Sequence, residues 1–259
     1  MRYLMNRSVL FLIGIICIAG VAFTTLAQAE TLVESSLFFR IYVAFSVDEK
    51  ATQAWLPDPW KVVPIPKGPF KGANLQVLLD DRFIMQDGEG KPYVGEGEPF
   101  CLAALVSIGK NEKTGEIGVF VIRVYWPYDD TGSYKNGVKA AVSREAAIKA
   151  SVSGTGSELW KIQDNAGGMM EFQMDYQQGL PTRTKTEIKG LSNVDPNILV
   201  IYRDDYVGDV VKSVPAGIDR VKNFKFRVTM SELRKMFNGS EQLVGISVNP
   251  SRVRLRYSP

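Results

Sequence analysis

From Ser36 to Phe45 the chain reads SLFFRIYVAF, a run of aromatic and β-branched residues that predicts a strand. The same signature recurs in ANLQVLLDDRFIM, in PFCLAALVSIGK and in GVFVIRVYW, the last two joined by the turn sequence KNEKTGE and so predicted to form a hairpin. In the second half it returns as SELWKIQD, GMMEFQMDYQ, PTRTKTEIKG, NILVIYRDDYVGDVV, FKFRVTM and VGISVNPSRVRLRY. Hydrophilic, glycine-bearing turns separate these segments. Ten or more short strands with few helices predict an α+β fold dominated by an antiparallel sheet that closes or sandwiches.

Helical patterning is confined to three places. SVDEKATQAWLP places Ser46 three residues before Glu49, the spacing of a capping box, with Ala51, Ala54 and Trp55 as an apolar face and Pro57 as the stop. Asn136 to Ser151, NGVKAAVSREAAIKAS, is rich in alanine and free of proline. At helical spacing Val138, Ala141, Val142 and Glu145 form one stripe that Lys149 extends by a turn. TMSELRKMF predicts a third helix, ending at Asn238-Gly239. Between Pro57 and Pro69 five prolines restrict the backbone to extended or turning geometry, while Trp60, Val62, Val63, Ile65 and Phe70 give that loop something to pack.

The first 29 residues have the parts of a secretory signal: Arg2 and Arg7, then an uncharged apolar run from Val9 to Ala22, then Ala27-Gln28-Ala29 as a cleavage site before Glu30. A retained membrane anchor is the alternative, since the run approaches the length that spans a bilayer. Cleavage leaves residues 30–259 as a single β-rich domain, periplasmic or secreted, with no stable membrane insertion. Without Arg2 and Arg7 the 31 basic residues become 29 against 28 acidic ones, about +1. The charges are interspersed and form no basic stripe, which argues against nucleic acid as a partner.

Residue usage narrows the chemistry further. Cys101 is the one cysteine after the signal, so no intramolecular disulfide can form, and its apolar setting predicts an inert thiol. There is no histidine anywhere in the chain. Ser-His-Asp and Cys-His catalysis and the usual zinc sites are thereby excluded, and neither a metal nor another cofactor is expected. Catalysis would fall to lysine, carboxylates, tyrosine, arginine or backbone groups. The glycines of QDGEGKPYVGEGE precede no helix and so lack the geometry of a phosphate loop.

Four clusters carry candidate chemistry. Glu145 stands four residues before Lys149, which fits either a surface ion pair or a lysine nucleophile set beside Arg144 and Glu145. A nucleophilic role needs Lys149 desolvated enough to lose its charge. In RVYWPYDD, strand alternation puts Arg123 and Tyr125 on one face, and with Trp126 and Tyr128 they offer a lining for a small carboxylate, or else simple core packing. Asp204, Asp205 and Asp209 of YRDDYVGD supply oxygens for a hard cation, or form a solvated turn. Arg183, Lys185 and Glu187 share one face of a strand, an ordinary solvent-facing arrangement.

The order of these features resembles the acetoacetate decarboxylase-like superfamily: an opening strand, a short helix ending in a Pro-x-Pro (AWLPDPW), further strands, an Arg-Glu segment, then strands to the C-terminus. In those decarboxylases a Gly-Arg-Glu leads to a Pro-Lys-Lys, whose first lysine forms a Schiff base while the adjacent ammonium lowers its pKa. Arg144 and Glu145 match the first part. Lys149 departs from the second: it stands alone, without a preceding proline and closer to the Arg-Glu. The resemblance implies a cone-like β-barrel or sandwich with two or three helices and an internal cavity.

Three functions follow as expectations. The first is an exported protein that encloses a small organic acid or carbonyl metabolite, with or without catalysis. The second is a lysine-dependent, imine-forming decarboxylase or related lyase. The third is a secreted β-rich structural or interaction protein with no cavity.

Overall fold

The computed structural model describes residues 30–93, 97–151, 154–195 and 197–259; residues 1–29, where a secretory signal is expected, lie outside them. The strands are β1 (Thr31–Ser46), β2 (Trp60–Val62), β3 (Leu75–Asp87), β4 (Phe100–Asn111), β5 (Ile117–Trp126), β6 (Gly137–Lys149), β7 (Thr155–Asp164), β8 (Met169–Gln177), β9 (Thr182–Ser192), β10 (Leu199–Ser213), β11 (Ile218–Asp219), β12 (Val221–Val228) and β13 (Gln242–Ser258). One α-helix, α1 (Glu49–Gln53), and one 3-10 turn, Ser231–Leu233, complete the described elements.

All thirteen strands join in one mixed sheet, which is not a clean barrel. β5 is its branch point: it pairs antiparallel with β4, and parallel with β9 over Val119–Val121 and with β6 over Val124–Trp126. The pairings therefore run in a circuit through β4, β5, β9, β10, β13, β1, β3 and back to β4. From β5 the strands β6, β7, β8 and β12 continue as a second, antiparallel layer.

β1 lies at the centre, hydrogen-bonded to β13 on one side and β3 on the other. Its alternation sends Phe39, Ile41, Val43 and Phe45 into the main core and Phe38, Arg40 and Tyr42 into the inside of the circuit. Trp160, Ile162, Met170 and Phe172 of the second layer pack against the first set, all at 0% exposure. Met230, Leu233, Met236 and Phe237 close that core from the 3-10 turn.

Four local expectations are corrected. Residues 137–149 form a strand and not a helix: β6 makes a ladder with β7 from Ala140↔Asp164 to Lys149↔Thr155. Alanine's helix propensity is a weak prior, and a continuous ladder outweighs it. The burial record of that stretch has period two, with Ala140, Val142 and Arg144 turned inward between exposed Ala141, Ser143 and Glu145. The cap of α1 is Asp48, whose Oδ1 accepts the Ala51 N–H at 2.7 Å, so Ser46 ends β1 instead. TMSELRKMF makes only the single 3-10 turn, because Met230, Leu233, Met236 and Phe237 are drawn one by one into the core. YRDDYVGD is no turn; it is the middle of β10.

Candidate functional site

The circuit of seven strands encloses a cavity of about 200 Å³. Its two sides differ because consecutive strands send different residue types inward. β4 and β5 contribute Leu102, Ala104 and Val106, then Val119, Val121, Val124 and Trp126. Opposite them β1, β3 and β13 contribute Arg40, Tyr42, Asp80, Arg82 and Arg254, with Glu34 beside them. The register explains the seam: Asp80 pairs with Arg40 on one side and with Leu102 on the other, so polar gives way to apolar across β3.

The polar side is a continuous network. Arg40 grips Asp80 through Nε at 2.5 Å and Nη2 at 2.6 Å, and its Nη1 reaches the Tyr42 hydroxyl at 3.2 Å. Arg82 donates to Asp80 at 3.0 Å and to Ser36 at 3.1 Å. Behind the wall, Asp204 accepts from Arg254 at 2.7 and 2.9 Å and from Arg252 at 2.6 Å. Arg256 donates to Glu34 at 2.7 Å. Aromatic faces carry the guanidinium planes: Arg82 lies 4.1 Å from the Phe38 centroid, Arg254 4.0 Å from Tyr202 and Arg252 4.2 Å from Tyr206.

The charges do not balance. Among the described residues, Arg40, Arg82, Arg252, Arg254 and Arg256 are set against Glu34, Asp80 and Asp204, and none of the eight is more than 8% exposed. Arg82 Nε, Arg252 Nε and Arg252 Nη1 are buried donors without a partner among the described residues. A buried, uncompensated cation is costly, so such a wall has a strong physical appetite for an anion. Against their burial, Asp80 and Asp204 hold Arg40 and Arg254 above the usual guanidinium range, while Tyr42 and Arg82 shift as a cationic setting dictates. Burial pushes the Tyr42 phenol up, yet Arg252, Arg40 and Arg254 outweigh it and hold the group below its usual value of 10. Burial lowers Arg82, and crowding by Arg254 and Arg40 adds to that against Asp80 and Glu34.

A loop covers one opening of the cavity. Thr131, Gly132, Ser133 and Tyr134, between β5 and β6, line the space, and the Tyr134 hydroxyl donates to that of Tyr202 at 2.8 Å. Asn136 anchors the loop through the Val121 carbonyl at 2.6 Å and Asn193 at 2.8 Å, and Trp126 Nε1 bonds the Asp130 carbonyl at 3.0 Å.

Of the residues singled out by sequence, only Trp126 lines this cavity. Arg123 and Tyr125 do share a face of β5, but it is the opposite one. There both reach Glu232, each at 2.5 Å, with Arg123 stacked 5.0 Å from the Trp55 ring. Tyr128 packs edge-on against Phe100 and Trp126. Arg144 lies over Phe39 at 3.7 Å, forked onto Glu158 at 2.9 and 2.8 Å and bonded to Asp81 at 2.8 Å. Glu145 and Lys149 lie on the exposed side of β6, turned away from Arg144 by strand alternation, so the three do not converge. Asp204, Asp205 and Asp209 take separate partners, Arg252 with Arg254, Arg183 and Arg220 respectively, and provide no common oxygen cage. Cys101 is half-buried, its thiol pushed up to about 12 by burial and by Asp81.

The cavity arginines and Tyr42 were missed by sequence reasoning, although RVRLR held a signal. Arg252, Arg254 and Arg256 recur at period two, with Val253 and Leu255 between them. That is a strand with its charges on the inside, and Val253 is 47% exposed on the outside.

No family model matches the chain, and no curated protein matches it. Solved structures do. An acetoacetate decarboxylase-like enzyme from Sphingomonas wittichii RW1 aligns with a TM-score of 0.56 at 11% identity, covering 92% of this chain and 96% of that one. The fold is that of the acetoacetate decarboxylase-like enzymes. The enduracididine biosynthesis enzyme MppR with HEPES buffer bound gives a TM-score of 0.58 at 10% identity, over 90% of this chain and 88% of that one. MppR complexed with pyruvate gives 0.57 at 10% identity, over 89% and 90%. At these identities the likeness concerns the fold.

Proposed function

We propose that this chain is an exported protein that binds a small organic acid inside the strand circuit, on an acetoacetate decarboxylase-like fold. The observation that carries the reading is the set of three guanidinium groups, Arg40, Arg82 and Arg254, against two carboxylates, Glu34 and Asp80, lining one cavity, with Arg252, Arg256 and Asp204 buried behind them. An anion entering there pairs with cations that are already desolvated, so most of the desolvation cost is borne by folding and not by binding. A cavity of about 150 Å³ accommodates benzene, so the present volume suits a compact metabolite and not a polymer. The presence of a cavity speaks against a purely structural role. MppR, of the same fold, is a structure complexed with pyruvate, a small carboxylate, which lends further support.

A lysine-dependent lyase is the second reading, favoured by the fold shared with decarboxylase-like enzymes. Imine formation requires a lysine at the cavity, and among the described residues the lining includes none. Export rests on the signal pattern of residues 1–29, and the N-terminus of the protein recovered from its native envelope tests it: chains starting at Glu30 are expected.

Calorimetric titration of residues 30–259 with acetate, pyruvate and benzoate tests the binding reading. Saturable binding that is weakened by Arg254→Met is expected; heats at the level of dilution for every carboxylate at millimolar concentration would sink it.

A further inference from the structure

Resting on the carboxylate-binding reading, we infer that the ligand is amphipathic: one carboxylate head joined to an apolar body, branched or aromatic, with no requirement for a carbonyl group. The two halves of the cavity carry this. All the cationic groups that line it, Arg40, Arg82 and Arg254, belong to β1, β3 and β13. The facing half, from β4 and β5, presents Leu102, Ala104, Val106, Val121 and Trp126 and carries no charged side chain. A linear dicarboxylate would place its second charge against that apolar half, where no cation or donor of those strands answers it. A short acid such as acetate would satisfy the arginines and leave the apolar half unfilled, forfeiting the burial that the far wall offers.

The absence of lysine from the lining among the described residues adds the second element. A 2-oxo or 3-oxo group gains nothing covalent here, so a carbonyl on the ligand brings no special affinity. Recognition then grows with apolar bulk up to the cavity's limit. Each buried methylene is worth about a fourfold gain in affinity.

The test is a calorimetric panel on residues 30–259: benzoate and 4-methylpentanoate as amphipathic acids, acetate, pyruvate and succinate as small or doubly charged ones, and benzyl alcohol as a neutral counterpart of benzoate. Benzoate and 4-methylpentanoate are expected to bind at least tenfold more tightly than acetate, pyruvate, succinate or benzyl alcohol. Ala104→Leu, which fills the apolar half, is expected to cut benzoate affinity by tenfold or more, and a circular-dichroism spectrum matching the wild type shows that the variant is folded. Acetate, pyruvate or succinate binding as tightly as benzoate would overturn the amphipathic ligand and leave the carboxylate reading standing. Binding of benzyl alcohol at benzoate's affinity would overturn the carboxylate head, and no binding by any acid would remove the underlying reading itself.

Discussion

Arg40 and Asp80 lie directly across the β1–β3 ladder and are joined by two hydrogen bonds of 2.5 and 2.6 Å in a wall whose side chains are almost wholly buried. Asp80 also accepts from Arg82, so one carboxylate serves two buried cations. This pair is the hinge between the protein's stability and its chemistry, because the arginines that make the cavity cationic are held in place by too few anions to neutralise them.

Removing that carboxylate should therefore cost far more than a surface ion pair. Asp80→Ala is expected to destabilise the protein by about 3–5 kcal/mol, or to prevent folding, since it leaves Arg40 and Arg82 buried without their partner. The double variant Arg40→Met with Asp80→Leu should recover a large part of the loss, and urea unfolding followed by circular dichroism would measure both. Burial pushes the Asp80 carboxyl up, but Arg40 and Arg82 outweigh it and hold it below the usual carboxylate range. A depressed carboxyl contributes stability that is present above its unfolded value of about 3.9 and is lost as pH falls through the folded value. Acid titration of the wild type should accordingly show the fold intact at pH 5 and weakening below about pH 4.

Tyr42 offers a spectroscopic report of the cavity's charge. With Arg252, Arg40 and Arg254 holding its phenol below 10, a one-tyrosine ionisation with its midpoint below that pH should be present in the wild type and missing from the difference spectrum of Tyr42→Phe. A depressed phenol favours the folded state increasingly as pH rises from its folded toward its unfolded value, so alkaline stability should be greater in the wild type than in Tyr42→Phe. A bound carboxylate offsets part of the cationic potential and should move the Tyr42 transition back upward. A transition unmoved by saturating benzoate would place the anion elsewhere.

How much of this was legible in the sequence depends on which physical signal dominated locally. The long strands were readable because β-branched and aromatic runs need no partner to declare themselves, as in β1 and β5. Residues 137–149 misled because alanine, arginine and glutamate favour helix in isolation, and only the β7 ladder, a contact made by residues further along the chain, decides otherwise. The cavity escaped for a related reason. Arg40, Asp80 and Arg254 are far apart in sequence, and a charge on a strand reads as solvent-facing until the circuit closes around it. Arg123 and Tyr125 show the converse: alternation placed them together correctly, but nothing local told which face of β5 looks into the cavity.

Two of the three basic residues of β6, Lys149 and Arg144, should behave in opposite ways. Lys149→Ala removes an exposed side chain at the end of the strand and is expected to change stability by no more than about 0.5 kcal/mol, with carboxylate affinity unchanged. Borohydride treatment with pyruvate should leave no adduct on that lysine by mass spectrometry, and a stoichiometric adduct would restore the imine mechanism. Arg144→Met strands Glu158, 1% exposed, without its bidentate partner, and should cost about 3 kcal/mol or more in urea unfolding.

Gly190 controls the loop that covers the cavity. Its inward side is occupied by Tyr134, so that a Cβ built there would lie 2.2 Å from the Tyr134 hydroxyl oxygen and 3.2 Å from the Tyr202 ring. Only a residue without a side chain lets the tyrosine reach across β9 and bond Tyr202. Gly190→Ala must therefore push Tyr134 away and break that hydrogen bond, at a cost of about 1–3 kcal/mol typical of overpacking. The strand itself should survive, because its ladder with β10 uses backbone groups that the substitution leaves in place. The expected outcome is a folded protein whose loop between β5 and β6 exchanges its amide hydrogens faster than in the wild type, with faster release of a bound carboxylate. Tyr134→Phe should give a milder version of the same change, since it removes the hydroxyl but keeps the ring in the cavity. Unaltered exchange and release in both variants would show that the loop is held by Asn136 and Trp126 alone, and that the Tyr134–Tyr202 contact does not gate access to the cavity.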